Sequence, residues 1–162
     1  MLTQRPVDLD QDKDLVLDMA CTASFESVPA WYRKDPFRVY RESWLQSGFP
    51  KQVLSDLKTS QKNSQNVLEI WMEDEHPAGL LWVDFAESPQ GKQIATLRTM
   101  AVEPGHQRRG IGRMMLQYVE AAARERGAGV IRVETSVENE GTQKIYMQSG
   151  FTVSRLIYEK AL

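Results

Sequence analysis

The sequence predicts a mixed α/β fold: a mostly antiparallel twisted sheet that contains one parallel strand pair. Two observations carry that prediction. Residues 67–72 (VLEIWM) and 78–85 (AGLLWVDF) are apolar, strand-like runs on either side of the polar turn 73–77, the pattern of an antiparallel hairpin. Further on, the strand-like run 94–102, a helix-period stripe over 110–126 and the β-branched run 130–135 follow one another in βαβ order. Strands 94–102 and 130–135 should therefore be parallel, with a right-handed crossover. At 162 residues, with no internal repeat or shift in composition, the chain is expected to form one domain over 1–162.

Taken in order, residues 7–28 read as an acidic amphipathic helix, with Leu9, Leu15, Val16, Met19 and Ala20 near helical spacing and Asp8, Asp10, Asp12, Asp14 and Asp18 outward. Residues 25–49 are rich in aromatics (Phe25, Trp31, Tyr32, Phe37, Tyr40, Trp44, Phe49), and either cap a core or wall a substrate pocket. A short helix over 38–46 is expected there, stopped by Ser47-Gly48-Phe49-Pro50. Residues 51–66 are polar, and 60–65 (SQKNSQ) read as a loop. The hairpin follows, then a turn at 87–92 and the strand 94–102, making a three-stranded meander. After strand 130–135, Glu138-Asn139-Glu140-Gly141 opens a last helix that ends at Ser149-Gly150, and residues 151–158 (FTVSRLIY) follow, with a turn between two last strands expected near 154–156.

Composition narrows the function classes. Hydrophobic residues make up 41% and charged residues 26%, as in ordinary globular proteins, and the net charge of −2 lacks the basic excess of a nucleic-acid binder. The single cysteine, Cys21, excludes an internal disulfide and a cysteine-based zinc site, and the only histidines, His76 and His106, argue against a metal centre. Residues 1–8 have no signal-peptide character and no run approaches ~20 apolar residues, so a cytoplasmic location without a membrane partner is expected.

The chemistry concentrates between strand 94–102 and the following helix. There Gln107-Arg108-Arg109-Gly110-Ile111-Gly112 runs straight into Arg113-Met114-Met115-Leu116. A basic turn with two glycines at a helix start holds phosphate: the first-turn N–H groups lack helical partners, the dipole's positive end faces out, and glycine lets a ligand approach the backbone. Two nucleotide loops are set aside. A P-loop requires Lys-Ser/Thr after its last glycine, where this chain has Arg113-Met114, and a dinucleotide fingerprint requires a third glycine where it has Met115.

The hexapeptide 107–112 fits the pattern Gln/Arg-x-x-Gly-x-Gly/Ala of the GCN5-related N-acetyltransferase (GNAT) superfamily. A second block, Val133 to Asn139 and then Lys144-Ile145-Tyr146 to Gly150-Phe151, resembles that family's strand, Asn, helix, Tyr and Gly-Phe sequence. The resemblance implies a mixed, mostly antiparallel sheet (α/β, or α+β by some schemes) with helices on both faces and a splayed central parallel pair. It implies acetyl-CoA as acyl donor, its pyrophosphate on the N–H groups from Arg108 to Arg113, with Gln107, Arg109, Gly110, Ile111 and Gly112 shaping or lining the loop. Main-chain atoms of Met100, Ala101 and Val102 would meet the pantetheine and the thioester oxygen, and Asn139 would bond the pantetheine arm or cap the last helix. Tyr146 matches the tyrosine that protonates the leaving thiolate.

The acceptor side is less determined. Removing a proton from an ammonium calls for a carboxylate, and the resemblance points to Glu134, an acidic residue in an otherwise apolar strand, with Glu69 and Asp84 as rivals. The implied reaction is direct transfer to a primary amine of a small molecule or peptide, possible partners including a second copy in a homodimer. A silent acyl-CoA-binding module and transfer of a longer acyl group remain as alternatives.

Overall fold

The computed structural model describes residues 1–29, 35–160 and 162, so Trp31 and Tyr32 lie outside the described residues. Five strands form one sheet in chain order: β1 (Leu2–Pro6), β2 (Val67–Glu73), β3 (His76–Glu87), β4 (Gln93–Val102) and β5 (Val130–Val133). The pairs from β1 to β4 are antiparallel and β4–β5 is parallel, as the βαβ order requires. Helices α1 (Lys13–Ser27), α2 (Phe37–Gln46) and α3 (Phe49–Ser60) precede β2, α4 (Ile111–Glu125) connects β4 to β5, and α5 (Glu140–Gln148) follows β5.

Strand alternation sends side chains to two cores. On one face Val67, Trp71, Leu81, Val83, Ala95 and Leu97 meet the apolar stripe of α4, including Ile111, Met115, Leu116 and Val119. On the other, Ile70, Leu80, Trp82 and Ala101 meet Val16 and Met19 of α1 and Leu57 of α3. The helices therefore cover both faces of the sheet, and the mixed topology expected from the sequence holds.

Several boundaries differ from the expected ones. Residues 2–6 form an edge strand, making the meander four-stranded, and α1 starts at Lys13 because residues 8–12 fold into a turn. The Asp12 carboxylate organises that turn, accepting from the Asp8 amide at 2.8 Å and from both Arg5 guanidinium nitrogens at 2.7 Å. The polar stretch after Pro50 is helical up to Ser60, as part of α3, and the expected loop follows over 61–66. Proline in a first helical turn gives up an N–H that has no partner there, and Val53, Leu54 and Leu57 supply a buried stripe.

β4 carries the feature that shapes the site. Trp82 faces Thr99 and Val83 faces Leu97, so Arg98 is a bulge without an opposite residue. Ala95 and Leu97 before it, and Met100 and Val102 after it, lie on the α4 side, whereas Ala101 packs on the other. β5 pairs with β4 only from Ile94 to Leu97, up to that bulge. The strand expected over 130–135 thus ends at Val133. Residues 151–160 form neither helix nor strand, in place of the expected last strands. Val153, Leu156, Ile157 and Tyr158 are exposed there, and the segment has no ladder partner in the sheet of described residues.

Candidate active site

Where β5 stops, the far end of β4 keeps a partner on one side only. The Glu103 amide donates to Ala78 O, and the period-2 alternation of a strand then turns Ala101 and Thr99 toward β3, leaving Met100 and Val102 facing the open side. In agreement, Ala101 O points at Gly79 of β3, and Val102 O accepts from Gln107 Nε2 at 3.0 Å. Of the three residues implied as main-chain contacts, Met100 has open backbone groups, Val102 has an open amide with its carbonyl taken by Gln107, and Ala101 faces β3.

The chain then passes through a short 3-10 turn, Pro104–His106, and the basic loop. Arg108 (φ 63°) and Gly110 (φ 84°) both adopt the left-handed conformation. Gly110 is the N-cap of α4 and offers no side chain to cap it, and the first helical bond runs from Met114 N–H to Gly110 O. The amides of Ile111, Gly112 and Arg113 are therefore left pointing off the helix end. A side chain at Gly112 would meet nothing closer than Val102 Cγ2 at 3.9 Å, so protein packing does not require glycine there. Its absence leaves room for a ligand beside the amides, and the loop fits a phosphate group.

Beside the end of β4 lies a cleft. Its walls are Ala23, Glu26 and Ser27 from the end of α1, residues 97–100 of β4, Val133, Glu134 and Thr135, and Asn139 with Thr142 and Tyr146 of α5. The structure thus brings together Met100, Glu134, Asn139 and Tyr146, chosen from distant stretches of sequence. Tyr146 is 8% exposed, its ring packed on Phe151 at 5.3 Å, and burial pushes its phenol up to about 12. It is a neutral O–H donor at physiological pH. Glu134 sits one residue beyond β5 and is exposed to solvent. Asn139 caps α5, its Oδ1 accepting from the Thr142 amide at 3.3 Å while its Nδ2 donates to Glu26 O at 3.3 Å, tying α5 to α1 across the cleft.

The rival carboxylates lie elsewhere. Glu69 lies outside the cleft, accepts from Tyr118 Oη at 2.8 Å, and has its pKa raised mainly by burial. Asp84 accepts from Ser60 Oγ, Trp82 Nε1 and Arg98 Nη1, which occupies both its oxygens. The described aromatics of 25–49 pack mostly on one another: Phe25 on Phe37 and Tyr40, Trp44 on Phe49. None of them lines the cleft. Cys21 is fully buried and its thiol is pushed up by that burial, which removes it as a nucleophile.

Two cleft residues were not singled out in the sequence. Arg98 stacks on Trp82 at 4.7 Å and pairs with Asp84 at 3.1 Å and Asp56 at 3.6 Å. A charged residue interrupting an apolar strand is its only sequence signal. Thr135 has a buried hydroxyl without a partner among the described residues. Within the loop, Arg113 reaches Gln148 of α5 at 3.5 Å, and Arg109 forms an ion pair with Glu73 at 2.6 Å.

The profile of the Acetyltransferase (GNAT) family matches residues 25–151. Streptothricin acetyltransferase of Streptomyces lavendulae is 37% identical over 59 residues, 36% of this chain and 31% of that protein. The [ribosomal protein bS18]-alanine N-acetyltransferase of Salmonella typhimurium is 36% identical over 70 residues, 41% of this chain and 47% of that protein. The alignments thus span less than half the length of either curated relative. In fold, the chain resembles a predicted acetyltransferase with acetyl-CoA from Clostridium acetobutylicum (TM-score 0.72, 17% identity, covering 99% of this chain and 96% of that one). With the profile spanning both the anion loop and the tyrosine helix, the chain belongs to the acetyltransferase (GNAT) family.

Proposed function

We propose that this protein transfers an acetyl group from acetyl-CoA directly to the primary amine of a small molecule or peptide. One observation carries the reading: the strand that floors the Tyr146–Glu134 cleft leads, through the short turn 104–106 and the basic loop, into the uncapped, glycine-flanked start of α4. A donor anchored by its phosphates at the helix end would reach the cleft along the open side of β4.

When bound, acetyl-CoA supplies an acetyl group activated as a thioester. The amides of Ile111, Gly112 and Arg113 hold the pyrophosphate, with the exposed side chains of Arg108 and Arg113 adding positive charge. The Met100 and Val102 backbones orient the pantetheine arm, and an amide aimed at the carbonyl oxygen stabilises negative charge as it develops there. Tyr146 Oη donates a proton to the departing sulfur. Glu134 takes a proton from the acceptor ammonium, which otherwise stays charged near neutral pH. The two curated relatives, named for a small molecule and for a protein, are both consistent with an amine acceptor.

Calorimetric titration with acetyl-CoA, followed by a thiol-release assay over a panel of amines, tests the proposal. Heat of binding with thiol release on at least one amine is expected. Binding without release on any acceptor identifies an acyl-CoA-binding module instead, and no binding removes the donor.

A further inference from the structure

Arg109 belongs to the basic loop, yet its guanidinium is already paired with a carboxylate. Its Nη1 lies 2.6 Å from Glu73 Oε2, and the same carboxylate oxygen lies 3.6 Å from His106 Nε2. His106 Nδ1 is buried without a partner among the described residues. One carboxylate thus faces two side chains that flank the bend at Gln107 and Arg108.

Glu73 is itself firmly placed. It is the last residue of β2, paired with Leu2 of β1 on one side and His76 of β3 on the other. The tight turn that follows has left-handed Asp74 (φ 49°) and Glu75 (φ 69°), and the chain's N-terminal ammonium is paired with Asp74. The loop likewise holds a non-glycine residue, Arg108, at positive φ next to Arg109. Such a conformation persists only where surrounding contacts over-determine it.

We propose that Glu73 is a positioning residue for the acetyl-CoA loop: it anchors Arg109, with His106 beside the same carboxylate, so that the amides at the start of α4 stay aimed at the phosphates. Arg109 then serves as a loop anchor rather than a phosphate ligand. This inference rests on the acetyl-CoA reading above, and it reverses the sign expected for one substitution. If Arg109 were a phosphate ligand restrained by Glu73, removing the carboxylate would release the guanidinium and tighten binding. As an anchor, its release loosens the loop.

The test is calorimetric affinity for acetyl-CoA in the wild type, Glu73→Gln, Arg109→Gln and the double variant, with steady-state kinetics alongside. Each single substitution is expected to weaken affinity about fivefold, the scale of one partly exposed ion pair, and the double variant to lose no more than either single. KM for acetyl-CoA rises while kcat at saturation stays within about twofold, and Arg109→Lys recovers part of the loss. Tighter or unchanged binding in Glu73→Gln, or additive losses in the double variant, overturns the anchor while leaving the donor assignment intact. A wild type that does not bind acetyl-CoA overturns both. Thermal unfolding of each variant separates loop loosening from global loss, and a fall in melting temperature that accounts for the whole affinity loss counts against the proposal.

Discussion

Gly79 is the position where the packing makes the sharpest demand. A Cβ built on it would lie 2.6 Å from Ala101 O and 2.5 Å from Met115 Cε. The Met115 methyl ends a flexible side chain, although the residue is fully buried in the α4 core. The Ala101 carbonyl is main chain at the open end of β4, so Gly79→Ala must push that strand. The oxygen sits roughly 1 Å inside optimal van der Waals separation, and overpacking of this kind costs about 1–3 kcal/mol. For a chain of this size that corresponds to a melting temperature lower by about 3–10 °C. The displaced strand carries the open backbone of Met100 and Val102, so acetyl-CoA affinity should fall as well. Differential scanning fluorimetry with and without acetyl-CoA reads both effects. A variant that melts with the wild type and keeps its acetyl-CoA shift would refute the register that sets Gly79 opposite Val102, and with it the placement of those amides.

Three further outcomes follow from the described geometry. Tyr146→Phe keeps the buried ring against Phe151 and removes the proton donor, so kcat should fall about 10- to 100-fold with little change in acetyl-CoA affinity; an unchanged kcat removes Tyr146 from the reaction. Glu134→Gln should lower the rate at neutral pH and recover part of it as rising pH deprotonates the acceptor amine, and a pH–rate profile parallel to the wild type would exclude Glu134 as base. Asp12→Asn removes a carboxylate whose pKa is held low by hydrogen bonds from Arg5, against the opposing effect of burial. A depressed carboxylate contributes stability above its unfolded value of about 3.9 and loses it as pH falls toward the folded value. The variant should therefore be less stable at neutral pH, by about 1–2 kcal/mol given that Arg5 is partly exposed. Urea midpoints measured between neutral pH and the acid limb should converge with those of the wild type, and a constant offset would contradict the assignment.

The parts of the fold legible in the sequence are those with strong local punctuation. β3, β4 and α4 each combine a clear period with glycine or turn residues at their ends, and the anion loop lies between two of them. The elements that were missed depend on partners far along the chain. β1 is a short edge strand with only Leu2 and Arg5 partly covered, so its residues do not alternate in hydrophobicity. Pro50 has the same local character whether it stops one helix or starts the next, and burial of Leu57 under the sheet decides it. Within the site, Tyr146 and Asn139 were legible because a spaced motif names them. The bulge at Arg98 and the pairing of Arg109 with Glu73 were not, because each depends on strand register, which one-dimensional periodicity does not encode.

The amide bridge from Asn139 to the end of α1 has a consequence for how the protein comes into being. It joins residues 113 positions apart, so this wall of the cleft closes only once the chain through Asn139 has been made. The β2–β4 hairpins and the loop at the start of α4 can form earlier from local contacts. A nascent chain arrested before α5 would carry the loop at the start of α4 without the wall that joins α5 to α1.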